Sequence, residues 1–358
     1  MKDMQVVFDN IVFSQRVGGV SIVWYELLKR VLSNNDLNVC FLEYGSFNNM
    51  YRNKLNIPDN TIITISHWGF RLARFLNTTI KIKNRFIFHS SYYRVASNKN
   101  AVNVTTVHDF IYEYFSRGLR KTIHCRQKYR SIRKSKAVIC ISENTKKDLL
   151  KFMPYIKEEN IYVVYHGVSD DYYPVHEKPS YIPYTNNFYA LYVGSRASYK
   201  NFDLTVRAVA ASKLNLVIVG SPLSEKEKQF LDAHLGTERY NHTGYVETEM
   251  LNKLYNMAYA LLYPSSYEGF GIPVLEAQKA GCPVIAFNSS SIPEIIGDTP
   301  LLINELTVNA ILNCFEILSD KETRNTVIRN GFENAKRFSW DAMYTQIMQV
   351  YDKVWNDK

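Results

Sequence analysis

The stretch 263-YPSSYEGFGIPVLEAQKAGCPVIA-286 decides the fold. The apolar run 259–263 reads as a buried strand. Pro273 stands where a first helical turn tolerates proline, and Gly281 is placed to end that helix. The segment is therefore a strand, a glycine loop and a short helix. The amides of Gly269, Phe270 and Gly271 are expected at the helix N-terminus, where unpaired N–H groups and the helix dipole favour an anion such as a phosphate. Two carboxylates bracket that place, Glu268 in the loop and Glu276 in the first turn. Carboxylates do not bind phosphate but do accept from hydroxyls, so the ligand expected here carries both phosphates and hydroxyls, as a nucleotide sugar does.

Working outward, the same alternation recurs on both sides. After this motif's own strand, helix and following strand (283–287), the preceding region gives strands at 188–194, 214–220 and 242–246, with helices at 203–211, 225–235 and 248–258. An earlier series has strands at 5–13, 38–43, 85–90, 102–108, 137–141 and 160–168, a helix at 21–32, and a second at 144–152 with Ser142 as its N-cap. The mixed section 46–83 yields no clear order. Strands alternating with helices predict an α/β protein built from two doubly wound parallel sheets, one over 1–168 and one over 187–338. Pro174, Pro179 and Pro183 in the polar segment 169–186 give that stretch a linker's composition. A last helix, 339–357, carries Met343, Ile347, Val350, Tyr351 and Val354 on one stripe and is expected to pack back on the first domain.

Composition sets limits on function. With 358 residues, 46% of them apolar, the chain has material for two cores. No run is long and apolar enough for a membrane span, and the first residues lack the pattern of a signal peptide, so a cytoplasmic location is expected. Cys40, Cys125, Cys140, Cys282 and Cys314 are scattered and lack metal-ligand spacing, and are read as small buried or inert residues. The formal charge is +9, and it concentrates in the stretch 117–136, where Arg117, Arg120, Lys121, Arg126, Lys128, Arg130, Arg133, Lys134 and Lys136 meet no Asp or Glu. That stretch is either a solvated helix face or a surface for anionic lipid or an anionic acceptor. Nucleic acid is not expected, because no stacking platform or groove-reading motif accompanies the charge.

Three further groups are candidates for chemistry. Gly18 and Gly19 lie between the first strand and the first helix, where glycine lets a ligand approach the backbone or merely makes a tight turn. His108 and Asp109 follow the strand 102–108, on the side where ligands gather in open parallel sheets. Arg196 and Lys200 share the loop after the strand 188–194, from which a fork and a point charge can neutralise a diphosphate; the plain alternative is two surface cations. No D-x-D occurs, so a metal-bridged diphosphate is not expected and no cofactor is called for.

The order Gly18-Gly19, His108-Asp109, Gly194 with Arg196 and Lys200, and Glu268-Gly-Phe-Gly followed by Glu276 resembles the GT-B retaining glycosyltransferases of family GT4. Segments 89–92, 107–109 and 140–143 are similar to the bacterial mannosyltransferase-like branch. The resemblance implies two Rossmann-like domains facing across a cleft. It implies transfer of a hexosyl group, mannose from GDP-mannose first, to a hydroxyl of a glycan or lipid-linked glycan in polysaccharide biosynthesis, without a metal. Glu276 would hold the donor ribose and Glu268 would lie at the transferred sugar. Arg196 and Lys200 would meet the diphosphate, Gly269, Phe270 and Gly271 would offer amides, and Gly18 and Gly19 would close in from the first domain. Val246 would contact the base, and His108 would face the sugar as a hydroxyl partner or a support for developing charge. The departing phosphate oxygen would take the acceptor's proton. An inverting transferase and a catalytically silent nucleotide-sugar-binding module share most of these residues and stay open. A peripheral place at the inner face of the membrane would suit the basic stretch.

Overall fold

The computed structural model describes residues 4–15, 18–45, 49–65, 74–175 and 189–357. Two compact units emerge: Met1–Gly167 together with Trp340–Lys358, and Val168–Ser339. Each is a parallel sheet among the described residues.

In the first unit the strands are β1 (Gln5–Asp9), β2 (Asn38–Tyr44), β3 (Ile62–Ile65), β4 (Phe86–Ser90), β5 (Ala101–Val107), β6 (Ala137–Cys140) and β7 (Ile161–Val163), in the order β3-β2-β1-β4-β5-β6-β7. Every neighbouring pair is parallel. Val6, Val7, Phe8, Phe86, Ile87 and Phe88 are buried on both sheet faces, the unbroken apolar pattern that a helix-covered parallel sheet requires. The strand expected over 5–13 stops at Asp9, and Ile11–Ser14 form a 3-10 turn. Asn10 breaks the strand: its φ of −79° and ψ of 23° leave the extended region. There its side chain accepts from the Trp24 indole at 2.9 Å and donates to Glu43 at 3.2 Å.

The terminal helix Trp340–Asn356 belongs to this unit and buries the five residues of the expected stripe. Each buried side chain of that size contributes about 1.5–3 kcal/mol. Tyr351 reaches His89 Nδ1 at 2.5 Å, while the Arg85 guanidinium donates to the C-terminal carbonyls of Val354 (3.1 Å) and Trp355 (2.8 Å), which have no helical partner among the described residues. The basic stretch forms the helix Gly118–Lys134. Among the described residues, no helix is long and apolar enough to cross a membrane.

The second unit holds β8 (Tyr189–Val193), β9 (Asn215–Val219), β10 (Tyr240–Gly244), β11 (Ala260–Tyr263), β12 (Val284–Phe287) and β13 (Leu302–Ile303), in the order β10-β9-β8-β11-β12-β13. All neighbours are again parallel. The chain runs outward from β8 to β10 and then returns to the other side of β8 with β11, so the topological switch lies between β8 and β11. Of the segment read as a linker, residues 176–186 lie outside the described residues, and 169–175 rest on the second unit. The Tyr173 and Val175 amides donate to Asn252 (3.1 Å) and Asn256 (2.8 Å), and Tyr172 packs edge-on against Tyr255.

Candidate active site

In an open parallel sheet a ligand sits beyond the carboxyl ends of the strands at the switch point. In the second unit that edge has a floor of glycine. Gly194, Gly220 and Gly244 end or follow β8, β9 and β10 with φ of 128°, 149° and 73°. Their backbones interlock, Gly194 N donating to Val219 O and Gly220 N to Gly244 O, each at 3.0 Å. A Cβ at Gly220 would stand 2.6 Å from Gly194 O, so no side chain fits there. The floor therefore presents backbone alone.

Above this floor, two of the anticipated residues meet directly: Lys200 Nζ lies 2.6 Å from Glu268 Oε1, both side chains being largely buried. The loops that carry them are tied together. Asn201, itself left-handed at φ 50°, donates to Pro264 O (2.7 Å) and Ser266 Oγ (2.8 Å), and Ser266 N donates to Tyr199 O (2.7 Å). A third loop, after β12, holds the glycine loop from beneath. Ser291 Oγ bridges the carbonyls of Glu268 and Phe270 at 2.9 Å each, and Glu268 N donates to Ser290 Oγ at 2.8 Å. The Glu268 amide is thus spent within the protein. Gly271 caps the helix Ile272–Lys279 at φ 115°, and a Cβ there would meet Ile292 at 3.0 Å.

Arg196 is not a loose surface cation. Its Nε pairs with Glu227 at 2.6 Å, and its Nη2 donates to Ser221 O (2.9 Å) and Pro222 O (2.8 Å). Nη1 is buried and has no partner among the described residues, so the fork is fixed with the two N–H groups of Nη1 left over. Glu276 falls in the second turn of its helix rather than the first, since the helix begins at Ile272. It accepts from Tyr255 OH at 2.9 Å, and burial pushes its pKa up to about 7, with the Tyr255 and Tyr172 hydroxyls opposing the rise. Val246 lies two residues past Gly244, half-buried.

The first unit supplies the other anticipated residues. His108 and Asp109 follow directly on β5, at its carboxyl end. His108 has its pKa pushed down to about 4, chiefly by burial, with Asp109 opposing and Lys128 adding to the effect. Its ring is therefore neutral at physiological pH. Gly18 and Gly19 are exposed at the start of the helix Gly19–Leu32. Gly18 is extended, and a Cβ on either glycine would meet nothing within 4 Å. His108, Asp109 and Thr106 line a cavity of about 600 Å³ in this unit.

One part of the basic stretch needs correcting. Lys128 is fully buried, donating to Glu113 Oε2 (2.9 Å) and Asp109 O (2.7 Å) beneath the Phe110 ring. Lys121 donates to Glu113 O at 2.6 Å, Arg130 to Phe75 O at 2.9 Å, and Lys136 pairs with Asp357 at 2.8 Å. The stretch has no acid of its own, but partners arrive from elsewhere in the unit. Arg117, Arg120, Arg126, Arg133 and Lys134 remain exposed. The cysteines are free thiols, Cys40 and Cys125 half-buried and the other three buried.

Other residues of these sites gave no usable signal in the chain. Tyr172 sat inside the polar linker composition, and Ser290 and Ser291 belong to no motif of the chain. Asp9 and Arg94 form a fully buried ion pair at 2.9 Å at the ends of β1 and β4, completed by Ser90 and Tyr44, and nothing in sequence links positions so far apart. Among the described residues, no group of three or more His, Cys, Asp or Glu could hold a metal ion.

Known proteins show the same architecture. The family described as "Glycosyl transferases group 1" matches residues 176–334, and the one described as "Glycosyltransferase Family 4" matches 17–172. The O-antigen chain mannosyltransferase B of Escherichia coli is 29% identical over 271 residues, 69% of either chain. Among solved structures, sucrose-phosphate synthase of Thermosynechococcus elongatus aligns with a TM-score of 0.78 at 18% identity, covering 99% of this chain and 100% of its own. Anabaena HepE in complex with UDP and glucose aligns at 0.74 and 14% identity, covering 98% and 100%. At these identities the structural likeness establishes the GT-B fold.

Proposed function

Because the chain belongs to the group 1, family 4 glycosyl transferases, we propose that it moves a hexosyl group from a nucleoside diphosphate sugar to a hydroxyl of a glycan or lipid-linked glycan, with retention at the anomeric carbon. Mannose, carried on GDP, is the first choice of donor sugar, supported by the E. coli mannosyltransferase relative. The observation that carries this reading is the second unit's switch point: a side-chain-free glycine floor with the Lys200–Glu268 pair and the unspent Arg196 Nη1 above it. In the reaction the bond from C1 to the diphosphate oxygen breaks, a bond from C1 to the acceptor oxygen forms, and the acceptor proton passes to the departing phosphate. Negative charge grows on the diphosphate. Lys200 and Arg196 Nη1 meet it as preorganised donors, so no metal is assigned a role.

Glu268, held by Lys200, accepts from a hydroxyl of the transferred sugar. Glu276 accepts from the ribose, Val246 lies by the base, and Gly269, Phe270 and Gly271 line the sugar and phosphate. Neutral His108 serves as a hydroxyl partner rather than a cation, and Gly18 and Gly19 admit the donor's close approach. The exposed cations of the helix Gly118–Lys134, beside exposed Leu119 and Ile123, support a peripheral place on an anionic membrane surface at its inner, cytoplasmic face.

A thermal-shift screen of nucleotide sugars identifies the donor, since a ligand of the native state raises the melting temperature. NMR of the product then reads the anomeric configuration. Retention is expected; inversion removes the mechanism, and tight donor binding without transfer to any acceptor reduces the protein to a binding module.

A further inference from the structure

The Arg196 guanidinium spends its donors on one side only. Nε donates to Glu227 Oε1 at 2.6 Å, and Nη2 donates to Ser221 O at 2.9 Å and Pro222 O at 2.8 Å. Both N–H groups of Nη1 are left, buried and without a partner among the described residues. A buried donor without an acceptor is costly to a fold, so its surroundings decide what it is for. Two distances place it. A Cβ on Gly220 would stand 3.8 Å from Nη1, as a Cβ on Gly194 would stand 3.9 Å from Lys200 Nζ. The two cations therefore stand over neighbouring glycines of the floor, where only backbone lies beneath them.

The groups that aim Nη1 lie outside that floor. Glu227 is the third residue of the helix Glu225–Leu235 and divides its carboxylate. Oε1 takes Arg196, while Oε2 takes the Ser224 amide and hydroxyl at 2.7 Å each, which closes a capping box. The carboxylate that grips the arginine is thus anchored to a helix start. It also keeps its charge: burial raises the Glu227 carboxyl, but hydrogen bonds from Arg196 and Ser224 outweigh burial and hold it below the usual carboxylate range. His242, on β10, donates from Nε2 to Ser221 O at 2.9 Å, so the carbonyl that receives Nη2 is fixed from a further strand. Buried Phe202 lies under the guanidinium at 5.9 Å. These contacts remove the rotamer freedom of a long side chain before any ligand arrives.

We infer that Glu227 is a positioning residue for the transfer: through its capping box it holds Arg196 so that Nη1 meets the charge growing on the departing diphosphate, without itself contacting the donor. This rests on the transfer proposed above and adds to it a residue from outside the loops that face the ligand. A guanidinium free to turn has to be ordered in every turnover, whereas one gripped at Nε and Nη2 is ready. Lysine could not take its place, since an ammonium has no fork to be held at one side and presented at the other.

GDP and UDP are the probes, because a nucleoside diphosphate carries the charge that the departing group acquires. Calorimetry on the full chain, with whichever of the two binds the parent more tightly, should show Arg196→Ala weakened about tenfold and Glu227→Ala about fivefold. The double variant should bind as Arg196→Ala does, since a residue that acts only through Arg196 has no effect once Arg196 is gone. Turnover with the donor found by screening should follow, kcat falling in Glu227→Ala by a larger factor than donor KM rises. Asp320→Ala is the control: it removes the side-chain cap of the helix Lys321–Ala335 and should lower the melting temperature with nucleotide affinity unchanged. Losses that add in the double variant overturn the inference, because Glu227 then acts through the fold, and so does a control that weakens the nucleotide as much as Glu227→Ala. A Glu227→Ala chain that binds as the parent does overturns it too, and leaves the transfer and the part of Arg196 in it standing. A parent chain that binds neither GDP nor UDP removes the transfer reading and this inference together.

Discussion

The two units place polar groups at the same edge of the same kind of sheet and use them in opposite ways. In the first unit, Asp9, Arg94, Ser90 and Tyr44 close on one another at the strand ends, fully buried, and leave nothing to offer. Beside that network the unit has a cavity lined by side chains from widely separated segments. In the second unit the strand ends are glycine, and the charged side chains above them are paired but not exhausted: Arg196 retains Nη1, and Lys200 has one carboxylate for three donors. A surface of backbone and fixed cations suits the part of a ligand that never varies, such as a diphosphate. A cavity of side chains suits the part that differs between enzymes.

That contrast breaks first at Arg94. Its removal in Arg94→Met leaves the Asp9 carboxylate buried without its cation, and losing one partner of a buried pair costs about 3–5 kcal/mol. Urea unfolding of the full chain should show that loss, with donor binding per folded molecule unchanged. A stability change under about 1 kcal/mol would mean that the first unit's network is no more closed than the second's.

Lys200→Ala tests the other side. Turnover with the donor found by screening should drop about 10²–10³-fold, the typical effect of removing one preorganised donor from a developing negative charge. The stability loss should stay well under half of that for Arg94→Met, because the Glu268 side chain keeps some exposure to water and that of Asp9 keeps none. If the chain loses stability as Arg94→Met does, Lys200 is structural and the diphosphate role goes to Arg196 alone.

The difference between the units also explains what could be read from the chain. Parallel-sheet strands and their helices follow from local pattern, so the two-sheet α/β organisation and the terminal helix stripe were legible to within a residue or two at most ends. The glycine loop was legible because Gly271 and Gly281 need positive φ and leave a mark in sequence. The pairing of Lys200 with Glu268 was not, since both had been given separate ligands and nothing local says that two loops will touch. Lys128 was misread for a similar reason: its partner Glu113 lies outside the stretch whose charge was counted. Tyr92 lay in the segment 89–92 already singled out, but Arg74 and His124, which line the same cavity, carried no signal, because a cavity assembled from distant segments has no motif.

Gly220 sharpens the comparison from the backbone side. Gly220→Ala has to fit a Cβ 2.6 Å from Gly194 O at φ 149°, where a side chain is strained even in open space. A cost of about 1–3 kcal/mol is expected from the backbone alone. By contrast Gly18→Ala meets no atom within 4 Å and has an extended backbone, so its stability should stay within about 0.5 kcal/mol of the parent. The pair of melts separates glycine that shapes a floor from glycine that only leaves room.

The smallest effect expected is a slope against pH, and it belongs to Glu276. Its carboxyl, raised to about 7 in the folded chain, holds a proton that the unfolded chain releases near 4.5. Between those values the native state binds more protons, so this group's contribution to stability is present below about 4.5 and is lost as pH rises through about 7. Donor binding runs the other way, because a ribose hydroxyl needs the ionised carboxylate as its acceptor. The ionised fraction rises about tenfold between one pH unit below that pKa and one above, and donor affinity should rise by about the same factor. Glu276→Gln removes the ionisation, so its donor affinity should be weak at both ends and flat between them. A wild-type affinity that does not move across neutral pH, with a flat variant of equal strength, would take the ribose away from Glu276. Tyr255 would then hold that carboxyl as an interior hydrogen bond, and the second unit would resemble the closed network of the first at that position.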